Sequence, residues 1–405
     1  MWAEEAPNCR RKQFSQVREI LGVKHFGRKT SRASCDKMGT LVDTSFSLAG
    51  VRAASEARCR ITMSALVSQL SVARTAFISG PRSRSRQRRC APLRCQTSTG
   101  APPATAGELS RYDWKGLSCA YRTAGAGKPV VLIHGFGVSS FQYRDTMIEL
   151  AKTNKVYALD LVGFGASDQP DTEYCMEFWR DQVIDFVDNV IGQSAVLCGN
   201  SIGSLAAIHV ASTKPSCVDG VILLNCAGGM NNKVKRMPGD FDGFGWQYKA
   251  VVPVFAVVLA LIDFVLKIEP VAKPLFDNVR TEENVKNALQ GVYKNPSRVD
   301  DALVSSITDA AKREGAFRAF VRILTGPPGP RPEEMMDAVT CPLLILWGDK
   351  DGITPMDFPL GRYFIKLPET RENTTLKVFP GEGHCLQDDN PSAVTPVIRD
   401  WIAQL

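Results

Sequence analysis

The sequence of 405 residues predicts an α/β fold, in which a mostly parallel, doubly wound sheet carries a helical cap inserted after the sixth strand. From residue 111 onwards, short apolar runs typical of buried strands alternate with helical patterns. A Gly-x-Ser-x-Gly sequence, Gly199 to Gly203, stands between one such strand and a helix. The alternation stops between residues 228 and 335 and then resumes, which indicates an insertion into the sheet domain.

Residues 1–110 carry the positive charge of the chain. They hold 19 Lys and Arg against 7 Asp and Glu, whereas the remainder holds 30 and 35. The body therefore gives no reason to expect nucleic acid as a partner. From Met63 to Gly107 there is no Asp or Glu, while Arg and Ser are frequent, as in organelle transit peptides. We expect a disordered targeting segment, with Met63 as a candidate translation start; a basic tail that binds nucleic acid or anionic lipid is the alternative.

The cysteines after residue 110 are scattered and never spaced Cys-x-x-Cys. This pattern predicts buried free thiols in a reducing compartment and argues against a structural zinc site, since ligand pairs at short spacing are missing. No metal is expected. The seven residues are Cys119, Cys175, Cys198, Cys217, Cys226, Cys341 and Cys385.

The predicted elements follow one another in strand-helix order. The clearest strand is the continuous apolar run Pro129–Ile133, which is followed by His-Gly-Phe-Gly. A helix with apolar residues at helical spacing begins at Met176, and Gly192 is placed to end it. The closing helix covers 393–405. Further strands are predicted at 117–122, 155–160, 195–198, 218–226, 342–347 and 376–379.

The cap contains the most apolar stretch of the chain, Ala250 to Ile268. Because Pro253 and Asp263 interrupt it, its uninterrupted apolar length falls short of the ~20 residues that a membrane span needs. We expect a cap helix buried over the site, with contact to a membrane surface or lining of an apolar tunnel as alternatives. Phe255 and Leu259 are its predicted substrate-binding residues.

Ser201 is the candidate nucleophile. A serine between a strand and a helix lies on a sharp, strained turn, and the flanking glycines allow the strand and the helix to pack closely. Its Oγ is then exposed at the top of the sheet, and the backbone N–H of Ile202 points to the same place.

A serine needs a base to accept its proton, and the chain has four histidines. His25 lies in the N-terminal segment, His134 stands at a strand end where a histidine usually braces the loop, and His209 lies well inside a helix. His384 remains, in a loop after the last strand, and is the candidate base.

The base in turn needs a carboxylate that orients it. The loop after the strand 342–347 offers Asp349 and Asp351, of which we favour Asp351 because it lies deeper in the loop. The end of the strand 218–226 offers no acid. The developing oxyanion needs two N–H donors, and Ile202 and Phe136 are predicted to supply them.

Five segments, HGFG, DLVGFGASD, GNSIGS, WGDKDGITP and GEGHCLQDD, resemble the signature blocks of the α/β-hydrolase superfamily and occur in its order. Within it, GFGVSSFQYRD, the helix containing FWRDQV, and HCLQDD resemble plastid hydrolases related to pheophytinase and chlorophyll dephytylase. This resemblance implies hydrolysis of the phytyl ester of a chlorophyll pigment. It also implies a chloroplast location, with the mitochondrion as the alternative.

The predicted function is that of a serine hydrolase acting on a carboxylic ester with a bulky apolar group, without a cofactor. An epoxide hydrolase or dehalogenase would use a carboxylate nucleophile, which Ser201 argues against. A carbon–carbon bond hydrolase would retain the serine and stays an alternative. A ligand-binding receptor on a hydrolase scaffold is the alternative of a different class.

Overall fold

The computed structural model describes residues 107–231, 233 and 257–405. The predicted transit peptide, the candidate start at Met63 and the predicted substrate contact of Phe255 lie outside these residues. The seven cysteines after residue 110 are free, and six of them are buried, as predicted.

Eight strands form one sheet in the order β1-β2-β4-β3-β5-β6-β7-β8. β1 and β2 are antiparallel to their neighbours, and the pairs from β4 to β8 are parallel, which confirms the predicted fold class. The strands are β1 Glu108–Trp114, β2 Leu117–Ala124, β3 Pro129–Ile133, β4 Lys155–Leu159, β5 Ala195–Asn200, β6 Val218–Leu224, β7 Leu343–Gly348 and β8 Thr374–Phe379.

The start of the sheet differs from the prediction. β1 begins at Glu108, three residues before the expected domain start at 111, because Glu108 to Trp114 pair along their whole length with β2. Four of its seven residues are exposed, and three of these four are charged, so β1 lacks the apolar run that marks β3 or β5 in the sequence.

Helices cover both faces of the sheet, and the central strands are buried on both sides. The helices are α1 Arg144–Leu150, α2 Met176–Phe186, α3 Ile202–Thr213, α4 257–266, α5 Glu269–Val279, α6 Glu282–Val292, α7 Asp301–Lys312, α8 Ala316–Thr325, α9 Pro332–Met335, α10 Pro359–Thr370, α11 Leu386–Asp389 and α12 Pro391–Ile402. α2 continues as a π-helical turn to Ile191 and ends at Gly192, whose φ is 74°.

The two faces have separate cores. One joins α2, α3 and α10 through residues such as Trp179, Ile208 and Phe364. The other joins α1 and α12 through residues such as Met147 and Ile398. The helices α4 to α9 lie between β6 and β7 in the chain, so the cap follows the sixth strand as predicted.

A buried polar cluster ties the cap to the sheet domain. The Asp388 carboxylate on α11 accepts hydrogen bonds from Arg144 of α1 at 3.0 Å, from Arg298 of the cap at 2.5 Å and from the Tyr293 hydroxyl at 2.8 Å. Arg144 also pairs with Asp300 at 2.6 Å. Since α11 directly follows the His384 loop, this cluster fixes that loop against the cap.

Candidate active site

Ser201 lies between β5 and α3 in a backbone conformation that residues other than glycine rarely adopt, with φ 55° and ψ −117°. The close packing around the turn requires its two glycines. A Cβ on Gly199 would lie 2.2 Å from the carbonyl carbon of Gly203, and one on Gly203 would lie 2.2 Å from the Ile133 oxygen. The surrounding backbone therefore holds the serine in its strained position.

His384 lies in the loop between β8 and α11. Its Nδ1 is 2.8 Å from Oδ2 of Asp351, and both side chains are buried. The Nδ1 hydrogen is therefore directed to the carboxylate, which leaves Nε2 as the proton acceptor. The Asn200 amide, next to the serine turn, donates to the His384 carbonyl at 3.0 Å.

Asp351 is held by several donors besides His384. Its oxygens accept from the Ile353 N–H at 2.7 Å, from the Thr354 hydroxyl at 2.6 Å and from the Asn225 amide at 2.6 Å. Burial by itself would raise the pKa of Asp351, but the nearby His384 and the hydrogen bonds from His384 and Thr354 outweigh it and lower the pKa to about 2. The carboxylate is thus ionised and fixed in direction.

Asn225 is a member of the site that the sequence analysis missed. It follows β6, is fully buried with φ 46°, and joins the ends of β6 and β7 because its Oδ1 also accepts from the Gly348 N–H at 3.4 Å. The available signal was a single polar side chain directly after the apolar run of β6. Asn225 is an amide rather than an acid, and its side chain orients the Asp351 carboxylate by donating to it.

Asp349 has a different position from Asp351. Its Oδ1 accepts from the Gly381 N–H at 2.6 Å, and its other oxygen lies 3.3 Å from the Lys350 amine. Asp349 therefore joins the loops after β7 and β8, and the structure brings Asp351 rather than Asp349 to His384.

Two other histidines of the described chain have structural partners. The Leu161 N–H donates to Nε2 of His134 at 3.0 Å, so its Nδ1 donates to the Gly135 carbonyl at 2.7 Å. Burial lowers the pKa of His134 and keeps it neutral. His209 lies on α3 beside Arg180, and burial lowers its pKa as well.

The turn after β3 approaches the serine from the other side. A Cβ on Gly135 would lie 3.4 Å from the Ser201 Cβ, and the next residue, Phe136, packs edge-on against Phe164 at 5.7 Å between ring centroids. Within 107–231, 233 and 257–405, neither the Phe136 N–H nor the Ile202 N–H donates a hydrogen bond. Both N–H groups thus lack an acceptor among the described residues.

A cavity of about 560 Å³ has Ser201 and His384 in its lining, and His384 is the only histidine among the described residues there. Its cap wall is mostly apolar and is formed by α5 to α8 through Phe276, Leu289, Ile307, Phe320 and Ile323. Leu259 lies on α4 and is not part of this wall, so the structure does not bring it to the cavity. The described residues contain no cluster of His, Cys, Asp or Glu arranged to hold a metal ion.

Ser201, Asp351 and His384 follow the carboxyl ends of the parallel strands β5, β7 and β8, beneath a helical cap. This arrangement defines an α/β protein of the hydrolase class. The model of the alpha/beta hydrolase family matches residues 130–397, more than half of the chain. The chain belongs to this family and is a hydrolase.

Individual relatives are distant. The chain is 26% identical to chloroplastic pheophytinase from Arabidopsis thaliana over 357 residues, which are 76% of this chain and 70% of that protein. It is also 26% identical to the 2-hydroxymuconate semialdehyde hydrolase of Pseudomonas sp. (strain CF600) over 302 residues, 71% of this chain and 92% of that protein. Among solved structures, a serine hydrolase involved in carbazole degradation is similar in fold, with a TM-score of 0.56, 20% identity, and coverage of 74% and 99% of the two chains.

Proposed function

We propose that the protein is a serine hydrolase that cleaves a carboxylic ester carrying a bulky apolar group. The observation that carries this proposal is the position of Ser201 on its strained turn, in one apolar cavity with the buried His384–Asp351 pair. A serine hydroxyl becomes an effective nucleophile when a positioned base accepts its proton. A mostly apolar cap wall suits the rest of such a substrate.

In the proposed reaction, the Ser201 Oγ attacks the ester carbonyl while Nε2 of His384 accepts its proton. Asp351 holds the histidine in the required tautomer and stabilises its charged form. The N–H groups of Phe136 and Ile202 bind the oxyanion that develops. His384 then protonates the departing alcohol, and a water molecule, activated by the same histidine, releases the acid from Ser201.

A phytyl ester of pheophytin or chlorophyll is the proposed substrate, and the similarity to chloroplastic pheophytinase supports it. A carbon–carbon bond hydrolase would use the same serine, and the semialdehyde hydrolase relative represents that alternative. An epoxide hydrolase is disfavoured because a serine stands in the nucleophile position.

The decisive experiment combines active-site labelling with turnover. A fluorophosphonate probe should label the wild-type protein and not Ser201→Ala, and pheophytin, chlorophyll and simple long-chain esters should then be compared as substrates. Turnover of 2-hydroxymuconate semialdehyde without ester turnover would replace the esterase proposal by the carbon–carbon alternative. Absence of labelling in folded wild-type protein would favour a non-catalytic receptor.

We also propose a chloroplast location, supported by the acid-free, Arg- and Ser-rich stretch Met63 to Gly107 and by the chloroplastic relative. A reporter fused to residues 63–107 should enter chloroplasts. Import into mitochondria would correct the location, and a cytosolic reporter would contradict the targeting prediction.

A further inference from the structure

The helix α4, at 257–266, is apolar on two opposite faces. Leu259, Ile262 and Leu266 follow one another at spacings of three and four residues, so they share one face, and they are half-buried or buried. This inner face packs against the protein. None of the helices in the described residues is long and apolar enough to cross a membrane.

The outer face of α4 is apolar and exposed. Val257, Leu261 and Phe264, again three and four residues apart, are 70%, 61% and 64% exposed. Ile268, the extended residue between the helices, and Val271 on α5 are the next exposed large apolar side chains along the chain. We call these five residues the apolar ridge. Elsewhere in the described chain, the exposed large apolar side chains lie on different elements, and two of them, Phe136 and Ile353, line the substrate cavity. A contiguous apolar surface marks an interaction site.

We propose that the apolar ridge inserts into the surface of a lipid bilayer, with α4 lying parallel to the membrane plane. The ridge continues into the wall of the substrate cavity through α5. Val271 is exposed on this helix, and Phe276, five residues later, lines the cavity. At a rise of ~1.5 Å per residue, the two positions are only ~8 Å apart along the helix. A lipid surface on the ridge therefore lies beside the helix that bounds the cavity.

Most of the charges around the ridge agree with a lipid surface, and Glu269, exposed between Ile268 and Val271, is the exception. The carboxylates of Asp263 and Asp277 are paired with Lys233 and Lys273, at 2.8 Å and 2.7 Å, which reduces their repulsion from phosphate headgroups. Lys267 is exposed at the end of α4, where its long side chain can reach the headgroups while the neighbouring apolar residues enter the acyl region.

This inference goes beyond the proposed function, and its test needs no turnover. The full chain is mixed with phosphatidylcholine vesicles at high salt, which suppresses the electrostatic contribution of the basic residues 1–110. The Leu261→Gln/Phe264→Gln variant should partition into the vesicles at least about tenfold more weakly than the wild type, because each substitution removes apolar area from the contact. Ile148→Gln, which changes an exposed residue on α1, is the matched control and should bind as the wild type does.

Equal binding by the wild type and the double variant, or no binding by the wild type, would overturn the proposal. A wild-type dimer that the double variant abolishes, without vesicle binding, would assign the ridge to a contact between two copies and also overturn it. Thermal midpoints check the fold, and if the double variant is unfolded, Val271→Gln tests the same surface from α5. Ser201→Ala should bind vesicles like the wild type, so failure of the hydrolase proposal is distinguishable from failure of this one.

Discussion

The carboxyl edge of the sheet and the cap wall face the same cavity, but they are built in different ways. At the edge, polar side chains have defined partners: Asp351 is bonded by His384, Thr354, Ile353 and Asn225. At the wall, rings pack against rings, as Phe276 does with Phe320 at 5.1 Å between centroids. Hydrogen bonds fix the orientation of the side chains at the edge, whereas apolar packing fixes the shape and volume of the cavity at the wall. We infer that the edge determines the chemistry and the wall determines which substrates fit.

The largest effect is expected at the edge. Asp351→Asn should lower kcat for any ester by about 10⁴-fold, because an amide no longer stabilises the charged histidine or fixes its tautomer. Asp349→Asn is the matched control, since Asp349 bonds to the Gly381 N–H and to Lys350 rather than to His384, and it should change kcat by less than about tenfold. Steady-state kinetics on a short and a long ester would measure both. A larger loss with Asp349→Asn would show that the wrong aspartate is assigned.

A smaller effect concerns stability in acid. Since the pKa of Asp351 is about 2 in the folded protein and 3.8 ordinarily, the carboxylate stabilises the fold fully above pH 3.8, and this contribution is lost as the pH falls towards 2. It amounts to about 2 kcal/mol. The difference in unfolding free energy between wild type and Asp351→Asn, measured by urea denaturation, should therefore shrink over this range. A difference that is independent of pH would contradict the low pKa.

The smallest effect is expected at the wall. Ile307→Ser should raise KM for long-chain esters about tenfold and leave short-chain esters nearly unchanged, because it removes apolar contact worth one to two methylene groups. Leu259→Ser is the matched control, as it removes an isomeric, half-buried side chain on α4 outside the cavity wall. Thermal midpoints would separate loss of stability from loss of binding. If Ile307→Ser raised KM equally for short and long esters at an unchanged thermal midpoint, the assignment of substrate specificity to the wall would be wrong.

The edge was largely predictable from sequence because its chemistry uses residue types that are rare or spaced in recognisable ways. The turn at Ser201 follows from two glycines between a strand and a helix, and elimination among four histidines selects His384. Asn225 was not predictable by the same reasoning, because nothing in the sequence shows that the end of β6 lies next to the Asp351 loop. That proximity is a property of the strand order.

The wall was much less predictable. The most apolar stretch suggested Phe255 and Leu259, but a helix that is apolar on both faces does not reveal which face meets the cavity. Phe255 lies outside the described residues, and Leu259 lies away from the wall. The residues that form it, among them Phe276 and Phe320, belong to amphipathic helices of ordinary composition, whose orientation depends on how the cap folds over the sheet.

The hydrogen bonds of His134 have a consequence for how the enzyme responds to pH. His134 joins the turn after β3 to the loop after β4, with Nδ1 donating to Gly135 and Nε2 accepting from Leu161. A second proton on this ring would remove the acceptor, and burial opposes that charge. Because its pKa lies below the ordinary value, His134 takes up a second proton at a lower pH than an ordinary histidine, so the hydrogen bonds that hold the turn carrying Phe136 last to a lower pH. The two histidines thus have different roles: His134 holds two loops together, whereas His384 is the proposed proton acceptor.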